Sequence, residues 1–431
     1  MKKYHGVRIA DADELEELSF PAEVQLAIDD LAGSVREGLL ALSVGVGLKV
    51  MDELIEEELT DLVGPRGRHD RARTANRHGS RSGQVVLGGR KLQVRRPRAR
   101  TTDGSELELR TSRLFASEDL LCERTVETML AGLSTRRYPK GLEPCGTEDR
   151  STSRSAVSRR FVRRTRQALA ELMSRPVPED LVVLMLDGVE LSEHTCVTAL
   201  GIRSDGTKVP LGIWEGAAEN AAVCRRALAD LVERGLSCER GLLVVIDGSK
   251  ALRSSVERSL GPKARVQRCR VHKQRNVLGH LPEGERVWLK RKLREAWALE
   301  DPEAAERRLR ELARALDRKR PGAAASLREG LAETLTITRL GISAQSRLGR
   351  TLSTTNPIES MLSVCRQRSR NVKRWRGGEM VLRWTAAGML DAERSFRRVR
   401  GFRDLAKLER ALRRHAAAVE GKEVKDFPIA A

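Results

Sequence analysis

Three acidic residues occupy positions in the sequence from which their carboxylates could bind the same metal ions: Asp187, Asp247 and Glu359. Asp187 follows the apolar run LVVLML and Asp247 follows GLLVVI, so each aspartate is predicted at the carboxyl end of a buried strand. Ligands gather at that end of the strands in an α/β sheet, and a buried aspartate is costly unless it is paired or binds metal. Hard divalent cations favour oxygen ligands. Two of them roughly 4 Å apart can activate an attacking oxygen and stabilise a leaving one in phosphodiester chemistry.

Each carboxylate also has a structural interpretation. The Asp-Gly pairs at 187 and 247 are common turn signals, although two such pairs after buried-type strands favour a functional role. Glu359 follows Asn356-Pro357-Ile358, in which the asparagine suits a helix N-cap and the glutamate a capping arrangement. Its local sequence alone therefore predicts that Glu359 caps a helix, a role that does not exclude metal binding.

Cys269 and His272 form half of a zinc-binding pattern. No second Cys/His pair occurs at a suitable spacing, so a closed zinc site is not expected. The segment ARVQRCRVH (264–272) is typical of a strand, and both residues would then lie at its end, near the carboxylates. His272 is a candidate for contacting DNA or tuning a metal ligand, with a satisfied structural histidine as the alternative.

The elements that would position the aspartates follow a defined order. Strands are predicted at 181–188, at 194–216 as a hairpin turning at Asp205-Gly206, at 241–248 and at 264–272, with helices at 220–235 and 249–260. This order, β-β-β-α-β-α-β, is an antiparallel meander extended by parallel strands, which is the connectivity of the ribonuclease H-like fold. A helical stretch at about 283–335, with Asp301-Pro302 as a helix start, precedes a further helix beginning near Asn356.

The region before the strands divides by charge. Residues 1–62 carry 15 acidic and 5 basic side chains, and helices are predicted from the spacing of Leu39, Leu42, Val46, Leu48, Met51, Leu54, Ile55 and Leu59. A small bundle or a dimerisation segment fits this pattern. Residues 63–100 contain 12 Arg or Lys and a single acid, with a hairpin predicted around Gly88-Gly89. This charge favours contact with a DNA backbone over a solvated loop.

Two more helices are predicted in the basic region. One covers about 117–133, and the other begins near Ser153 or Ser155 and continues to about 175. The second has an apolar face formed by Val157, Phe161, Leu169 and Leu172, and a basic face formed by Arg159, Arg160, Arg163, Arg164 and Arg166. A helix-turn-helix recognition helix has this pattern, as does any basic amphipathic helix.

Composition narrows the choice of partner and compartment. The net charge of +20 and a pI of about 10.2 predict a polyanionic partner, and the 3% aromatic content predicts an aliphatic core. The longest apolar stretch, 39–48, is too short to cross a membrane, and the N-terminus lacks the apolar part of a signal peptide. The seven cysteines form no CxxC pair and imply no disulfide framework, so a cytoplasmic protein with no membrane partner is expected.

Longer motifs in fixed order add a resemblance to this interpretation. The runs LDGVELSEHTCVTALGIRSDGTKVPLGIWEGAAENAAVC, VIDGSKALR, VQRCRVHKQRNVLGHLP, TTNPIES and NVKRWRGGEMVLRWTAAGML span about residues 180–412. Together they resemble the Mutator-type bacterial insertion-sequence transposases, and GPRGRHDRARTANRHGSRSG is similar to the basic N-terminal block of that family. The resemblance implies an Asp-Asp-Glu triad at Asp187, Asp247 and Glu359, and places the family's Cys-x-x-His feature at Cys269 and His272.

The resemblance also implies an activity, cofactors and partners. It implies a ribonuclease H-like α/β core with an all-helical insertion before the glutamate, and predominantly helical N-terminal DNA-binding domains are expected before that core. Two Mg²⁺ or Mn²⁺ ions per site would activate water to free a 3′-hydroxyl at the element end, and then activate that hydroxyl to attack another strand. The partners implied are double-stranded DNA at the terminal inverted repeats and at the target, bound by a homodimer associated with the bacterial nucleoid.

Six segments follow from these patterns: an acidic helical segment at 1–62, a basic hairpin segment at 63–112, a helical DNA-binding domain at 113–178, the first part of the catalytic core at 179–280, a helical insertion at 281–351, and the final core helix with a basic helical region at 352–431. Candidate DNA contacts are Arg159, Arg160, Arg163, Lys250, Arg270, Lys273, Arg275, Arg366, Arg368, Arg370, Lys373, Arg374 and Arg376. The alternatives are a catalytically inactive DNA-binding regulator derived from a transposase, and a nuclease of the same fold acting on RNA or structured DNA.

Overall fold

Two compact units make up the chain, Met1–Phe161 and Val162–Ala431. The computed structural model describes residues 44–68, 73–87, 90–117, 149–151, 154–191, 193–216 and 221–421. Within those residues, none of the helices combines the length and the apolar character needed to cross a bilayer.

The described part of the first unit consists of helices and a small antiparallel sheet. Its elements are α1 (44–63), β1 (Ala75–Leu87), β2 (Arg90–Thr101), β3 (Glu106–Leu107), α2 (Arg110–Ser117), β4 (Asp149–Ser151) and the first part of α3 (Arg154–Ser174). The strand order is β1-β2-β3, and β4 also pairs with β2.

Helix α1 buries one stripe of aliphatic side chains against the sheet. The stripe is formed by Val44, Met51, Ile55, Leu59 and Val63, in one cluster with Val85 and Leu92 of the hairpin. Val46 and Leu54 were predicted in the apolar pattern, but they are 52% and 43% exposed because a period of 3.6 residues turns them away from this stripe. The predicted helical residues before position 44 lie outside the described residues.

The predicted hairpin around Gly88-Gly89 is confirmed by the pairing of Leu87 with Arg90, although the two glycines lie outside the described residues. Its first strand begins at Ala75, so part of the Gly/Arg/Ser-rich segment that had a loop as its alternative is extended instead. The register shifts between Arg77 and Ser80. The helix predicted at about 117–133 lies outside the described residues, apart from its first residue, with which α2 ends.

The second unit is built on a five-stranded sheet with the order β7-β6-β5-β8-β9. Its strands are β5 (Leu181–Leu191), β6 (His194–Arg203), β7 (Lys208–Gly216), β8 (Leu242–Ile246) and β9 (Ala264–Arg268), and the crossover helices are α4 (Ala221–Glu233) and α5 (Lys250–Leu260). β5, β6 and β7 form an antiparallel meander, whereas β8 and β9 run parallel to β5. The observed order of elements agrees with the predicted β-β-β-α-β-α-β.

Both faces of this sheet are covered, which explains the continuous apolar runs before the aspartates. Successive residues of β5 enter different cores: Val183 and Met185 pack on one side, and Leu184 and Leu186 on the other. Leu172 of α3 lies in the first core and Leu169 packs against it, so the later half of the predicted apolar face of that helix is used for packing in this unit.

Helices follow the sheet. They are α6 (Arg270–Gly279), α7 (Glu283–Trp297), α8 (Pro302–Asp317), α9 (Pro321–Arg328), α10 (Thr336–Arg339), α11 (Arg347–Leu352), α12 (Asn356–Ser369), α13 (Gly378–Glu393) and α14 (Leu405–Val419), with 3₁₀ turns at Ala332–Leu335 and Phe402–Asp404. Helices α6 to α9 share a hydrophobic cluster of their own. The Asp301 side chain caps α8 by accepting from the backbone N–H of Glu303, as predicted.

Candidate active site

The sheet register brings the two aspartates side by side. Leu186 of β5 lies beside Ile246 of the parallel strand β8, and each is followed by its aspartate. Asp187 and Asp247 therefore occupy neighbouring positions on adjacent strands. Asp247 directly follows the end of β8, as predicted, whereas Asp187 lies within β5 rather than at its carboxyl end.

The turn interpretation is wrong for Asp187 and right for Asp247. β5 continues through Asp187 to Leu191, and Thr198 of β6 pairs with the aspartate and donates its hydroxyl to the Asp187 carbonyl oxygen at 3.1 Å. At Asp247, Oδ1 accepts from the backbone N–H of Ser249 at 2.9 Å. This Asx-type turn fixes the carboxylate while engaging only one of its oxygens.

Asp187 lies in a strongly unfavourable place for a negative charge. It is 6% exposed, and burial, followed by the nearby Asp247 carboxylate, raises its pKa to about 8. Glu359 and Cys269 also contribute to this rise in the pKa of Asp187, whereas His272 opposes it. The carboxylates of Asp247 and Glu359 thus both act electrostatically on Asp187, which indicates that the three groups share one site.

Glu359 reaches this site from the first turn of α12. The predicted cap at Asn356 is wrong, because the helix already includes that residue and its N-cap is Thr355, which makes no side-chain capping bond. Glu359 instead accepts a hydrogen bond from Thr355 Oγ1 at 2.6 Å, and its Oε1 lies 3.7 Å from His272 Nδ1. The Glu359 carboxylate therefore interacts with side chains of the site and does not cap the backbone of its own helix.

Cys269 and His272 begin a helix rather than end a strand. β9 stops at Arg268, and Cys269 is the N-cap of α6, with Sγ accepting from the backbone N–H of His272 at 3.5 Å. Ligand atoms of Cys269, His272 and Glu359 lie within 4.8 Å of one another. A hydrogen bond to Cys269 is the largest of the effects that raise the pKa of His272 to about 9.

Thr355 is the site residue that sequence reasoning missed. It is fully buried, and its hydroxyl lies 2.6 Å from Glu359 Oε1, 3.4 Å from Cys269 Sγ and 3.3 Å from His272 Nδ1. A hydroxyl has one proton, and the short contact with a carboxylate directs that proton to Glu359. The available signal was a threonine four residues before a glutamate near a helix start, a spacing that places both on one face.

The candidate DNA contacts fall into three groups. Exposed side chains are those of Arg159, Arg163, Lys250, Arg275, Arg366, Arg370, Lys373, Arg374 and Arg376, and Arg160 is half-buried. Arg368 is half-buried and pairs with Asp391 at 2.8 Å. Arg270 and Lys273 are 8% and 1% exposed, so the prediction that they hold phosphate is wrong for this conformation.

Arg270 and Lys273 join the sheet to the helices that follow it. Arg270 Nε donates to the carbonyl oxygen of Thr334 at 2.8 Å, and Lys273 Nζ donates to that of Ser326 at 2.6 Å and also to that of Glu329. Burial lowers the pKa of Arg270 to about 10 and, together with the charge of Arg268, lowers that of Lys273 to about 8. Their donors are thus occupied inside the protein by backbone carbonyls and, for Arg270 Nη2, by the Thr338 hydroxyl.

Comparison with known proteins shows which family this chain resembles. The model of the family "Transposase, Mutator family" matches residues 27–398. The chain is 28% identical over 351 residues to the transposase for insertion sequence element ISRM5 of Rhizobium meliloti (strain 1021), covering 78% of this chain and 84% of that protein. It is 28% identical over 250 residues to the transposase for insertion sequence element IS6120 of Mycolicibacterium smegmatis, covering 57% of this chain and 75% of that protein.

A third relative matches over a shorter region. The transposase for insertion sequence element IST2 of Acidithiobacillus ferrooxidans is 31% identical over 174 residues, covering 40% of this chain and 57% of that protein. The family match, in contrast, takes in the sheet, both aspartates and Glu359. The chain belongs to the Mutator family of transposases.

Proposed function

We propose that this protein binds the terminal inverted repeats of a bacterial insertion sequence and catalyses metal-dependent DNA strand cleavage and strand transfer. The observation that carries the proposal is the meeting of three carboxylates, Asp187 and Asp247 from adjacent parallel strands and Glu359 from the start of α12. The printed names of the relatives, which are insertion-sequence transposases, support the same activity.

The proposed fold of the catalytic unit is ribonuclease H-like. A three-stranded antiparallel meander extended by two parallel strands through helical crossovers supports it. In this scheme α7 to α11 are the helical insertion, and α12 is the helix that completes the core with the third carboxylate.

The donor set fits divalent cations. Three carboxylates offer hard oxygen ligands, and the raised pKa of Asp187 shows that nearby groups of the protein do not fully compensate its charge. Asp187, Asp247 and Glu359 would hold two Mg²⁺ or Mn²⁺ ions. When bound, these ions supply Lewis acidity to the attacking and leaving oxygens of a phosphodiester.

The protein's own side chains hold these ligands in position. The backbone N–H of Ser249 fixes Asp247, Thr355 orients Glu359, and the central strand β5 immobilises Asp187. The exposed cations at the end of α12 and beyond it, Arg366, Arg370, Lys373, Arg374 and Arg376, would bind DNA phosphates. Two element ends must be brought together for transfer, so a homodimer on DNA is proposed.

A cleavage assay with matched carboxylate variants tests the proposal. The chain is incubated with Mg²⁺ and a duplex that carries the element's own end and flanking sequence, and nicked and joined products are measured. Asp187→Asn, Asp247→Asn and Glu359→Gln are expected to abolish both products while retaining DNA binding. Asp205→Asn is the control, because Asp205 also precedes a glycine but lies in the β6–β7 turn, bonded to Thr207.

The outcomes separate the proposal from its alternatives. Cleavage that survives in Asp187→Asn would reject the triad. Binding to the element end with no product under any metal condition would favour a regulator, and preferential cleavage of an RNA–DNA hybrid would favour a nuclease.

A further inference from the structure

The middle of the β1–β2 hairpin is uncovered, although both of its ends are packed. Near the turn, Val85 and Leu92 are buried, and at the far end Ala75 and Ala99 are buried. Between these ends, residues 78–82 are all exposed. Because successive side chains of a strand point to opposite faces, a run of exposed residues leaves both faces of the ribbon open.

One of these faces is mainly polar, with Pro97 opposite Ser80 as its apolar member in the middle of the ribbon. Gln84 lies opposite Gln93 and Ser82 lies opposite Arg95, and the period of two places Ser80 on the same side. All five side chains are exposed, and we name them the polar face of the ribbon. In the described part of the chain, no hydrogen bond or ion pair uses the side chain of Gln84, Gln93 or Arg95.

The charge of the ribbon calls for an anionic partner. Neither strand contains an aspartate or glutamate. Arg98 is neutralised by Glu106 at 2.7 Å, but Arg95 has no such carboxylate among the described residues, and Arg81 lies directly opposite Arg96. Like charges that face each other across a strand pair are unfavourable unless an anion lies nearby.

We propose that the polar face lies in the major groove of duplex DNA, where Gln84 and Gln93 contact base edges. This inference rests on the proposed recognition of element ends. The major groove is about 12 Å wide and admits a two-stranded ribbon, and a glutamine carboxamide can bond adenine through two atoms. Because Gln84 and Gln93 are directly opposite each other, their Cβ atoms are roughly 5 Å apart and both carboxamides extend from the same face.

The opposite face of the ribbon carries the paired arginines Arg81 and Arg96. The Arg96 side chain lies over Gly83, where an added Cβ would meet Arg96 Nε at 2.6 Å, and it donates to the carbonyl oxygen of Gln84. Arg96 therefore braces the strand that carries Gln84. Arg81 is exposed on this same face and supplies charge that attracts DNA without reading its sequence.

Binding by the full chain tests the inference. Affinities are measured for a duplex carrying the element end and for an unrelated duplex of equal length. Gln84→Ala/Gln93→Ala alters no charge and is expected to lower the ratio of the two affinities about tenfold or more, with binding to the unrelated duplex unchanged. Arg81→Gln is expected to weaken binding to both duplexes by a similar factor. Gln345→Ala removes an exposed glutamine of the second unit and is expected to change neither affinity.

A second measurement needs no variant. Methylation of guanine N7 blocks the major groove, whereas methylation of adenine N3 blocks the minor groove. Interference at N7 within the element end is expected, and interference at N3 alone would overturn the assignment of the groove. If the wild-type chain prefers the element end and the double glutamine variant retains that preference, the role of Gln84 and Gln93 is wrong, while the proposed recognition of element ends remains. If the wild-type chain shows no preference, the proposed recognition of inverted repeats fails with it.

Discussion

Removing the charge of Asp187 is expected to stabilise the metal-free protein while it abolishes cleavage. Burial and the neighbouring carboxylates raise the pKa of this carboxyl from 3.8 to about 8, so the folded chain binds its proton more tightly than the unfolded chain does. The resulting contribution to stability is fully present below pH 3.8 and is lost as the pH rises towards 8. Relative to low pH, the raised pKa of Asp187 costs the folded state about 5 kcal/mol at pH 8 and about 1.5 kcal/mol at pH 5.

Urea unfolding of the wild type and of Asp187→Asn, in a chelator, measures this cost. The variant is expected to exceed the wild type in free energy of unfolding by a few kcal/mol at pH 8 and by much less at pH 5. Added Mg²⁺ is expected to stabilise the wild type and not the variant, because binding to the folded state alone shifts unfolding. A variant no more stable than the wild type at pH 8, or a gap that does not narrow at pH 5, would refute this account of the site.

Three further predictions concern groups around the site. Thr355→Val removes the hydrogen bond to Glu359, so the Mg²⁺ concentration for half-maximal cleavage should rise about 10–100-fold. Thr355→Ser keeps the hydroxyl and should stay near the wild type. Equal Mg²⁺ concentrations for the two variants would contradict a positioning role of Thr355. Lys273→Met removes the ammonium donor from the part-buried carbonyl oxygens of Ser326 and Glu329, of which the second keeps a bond from Arg268, and should cost about 1–3 kcal/mol in urea unfolding. Lys250 is the exposed control, with its Nζ 3.8 Å from a Glu329 carboxylate oxygen, and Lys250→Met should lower the free energy of unfolding by less than about 0.5 kcal/mol. Equal losses of stability in Lys250→Met and Lys273→Met would contradict the argument from burial. Gly241→Ala should lower the free energy of unfolding by more than about 1 kcal/mol, because φ is +76° and the added Cβ would clash with the Leu412 carbonyl oxygen. An unchanged melting temperature would exclude this strain.

Local patterns were enough to predict the sheet and the two aspartates. The runs before Asp187 and Asp247 are apolar because both faces of the sheet are covered, and the Asp205-Gly206 turn marks the meander. These features depend on residues close together in the chain, which is the range over which periodicity and turn chemistry act.

The details of the site depend on contacts that no local pattern records. Thr355 gains its role from Cys269 and His272, which precede it by more than 80 positions. Arg270 and Lys273 looked like phosphate ligands because charge alone does not reveal burial, and their carbonyl partners lie 27 to 64 positions away. The strand predicted through 272 ended early because Cys269 can cap a helix by accepting from a backbone N–H.

The late position of Glu359 has a consequence during synthesis of the protein. Chains emerge from the ribosome amino end first, and domains tend to fold as units as they emerge. The strands that hold Asp187 and Asp247 are complete by residue 268, but the third carboxylate follows only after the helices from α6 to α11 have been made. A nascent or prematurely terminated chain therefore contains the basic ribbon before it has a complete set of carboxylates. Under the proposed function, such a chain is expected to occupy DNA without being able to cut it.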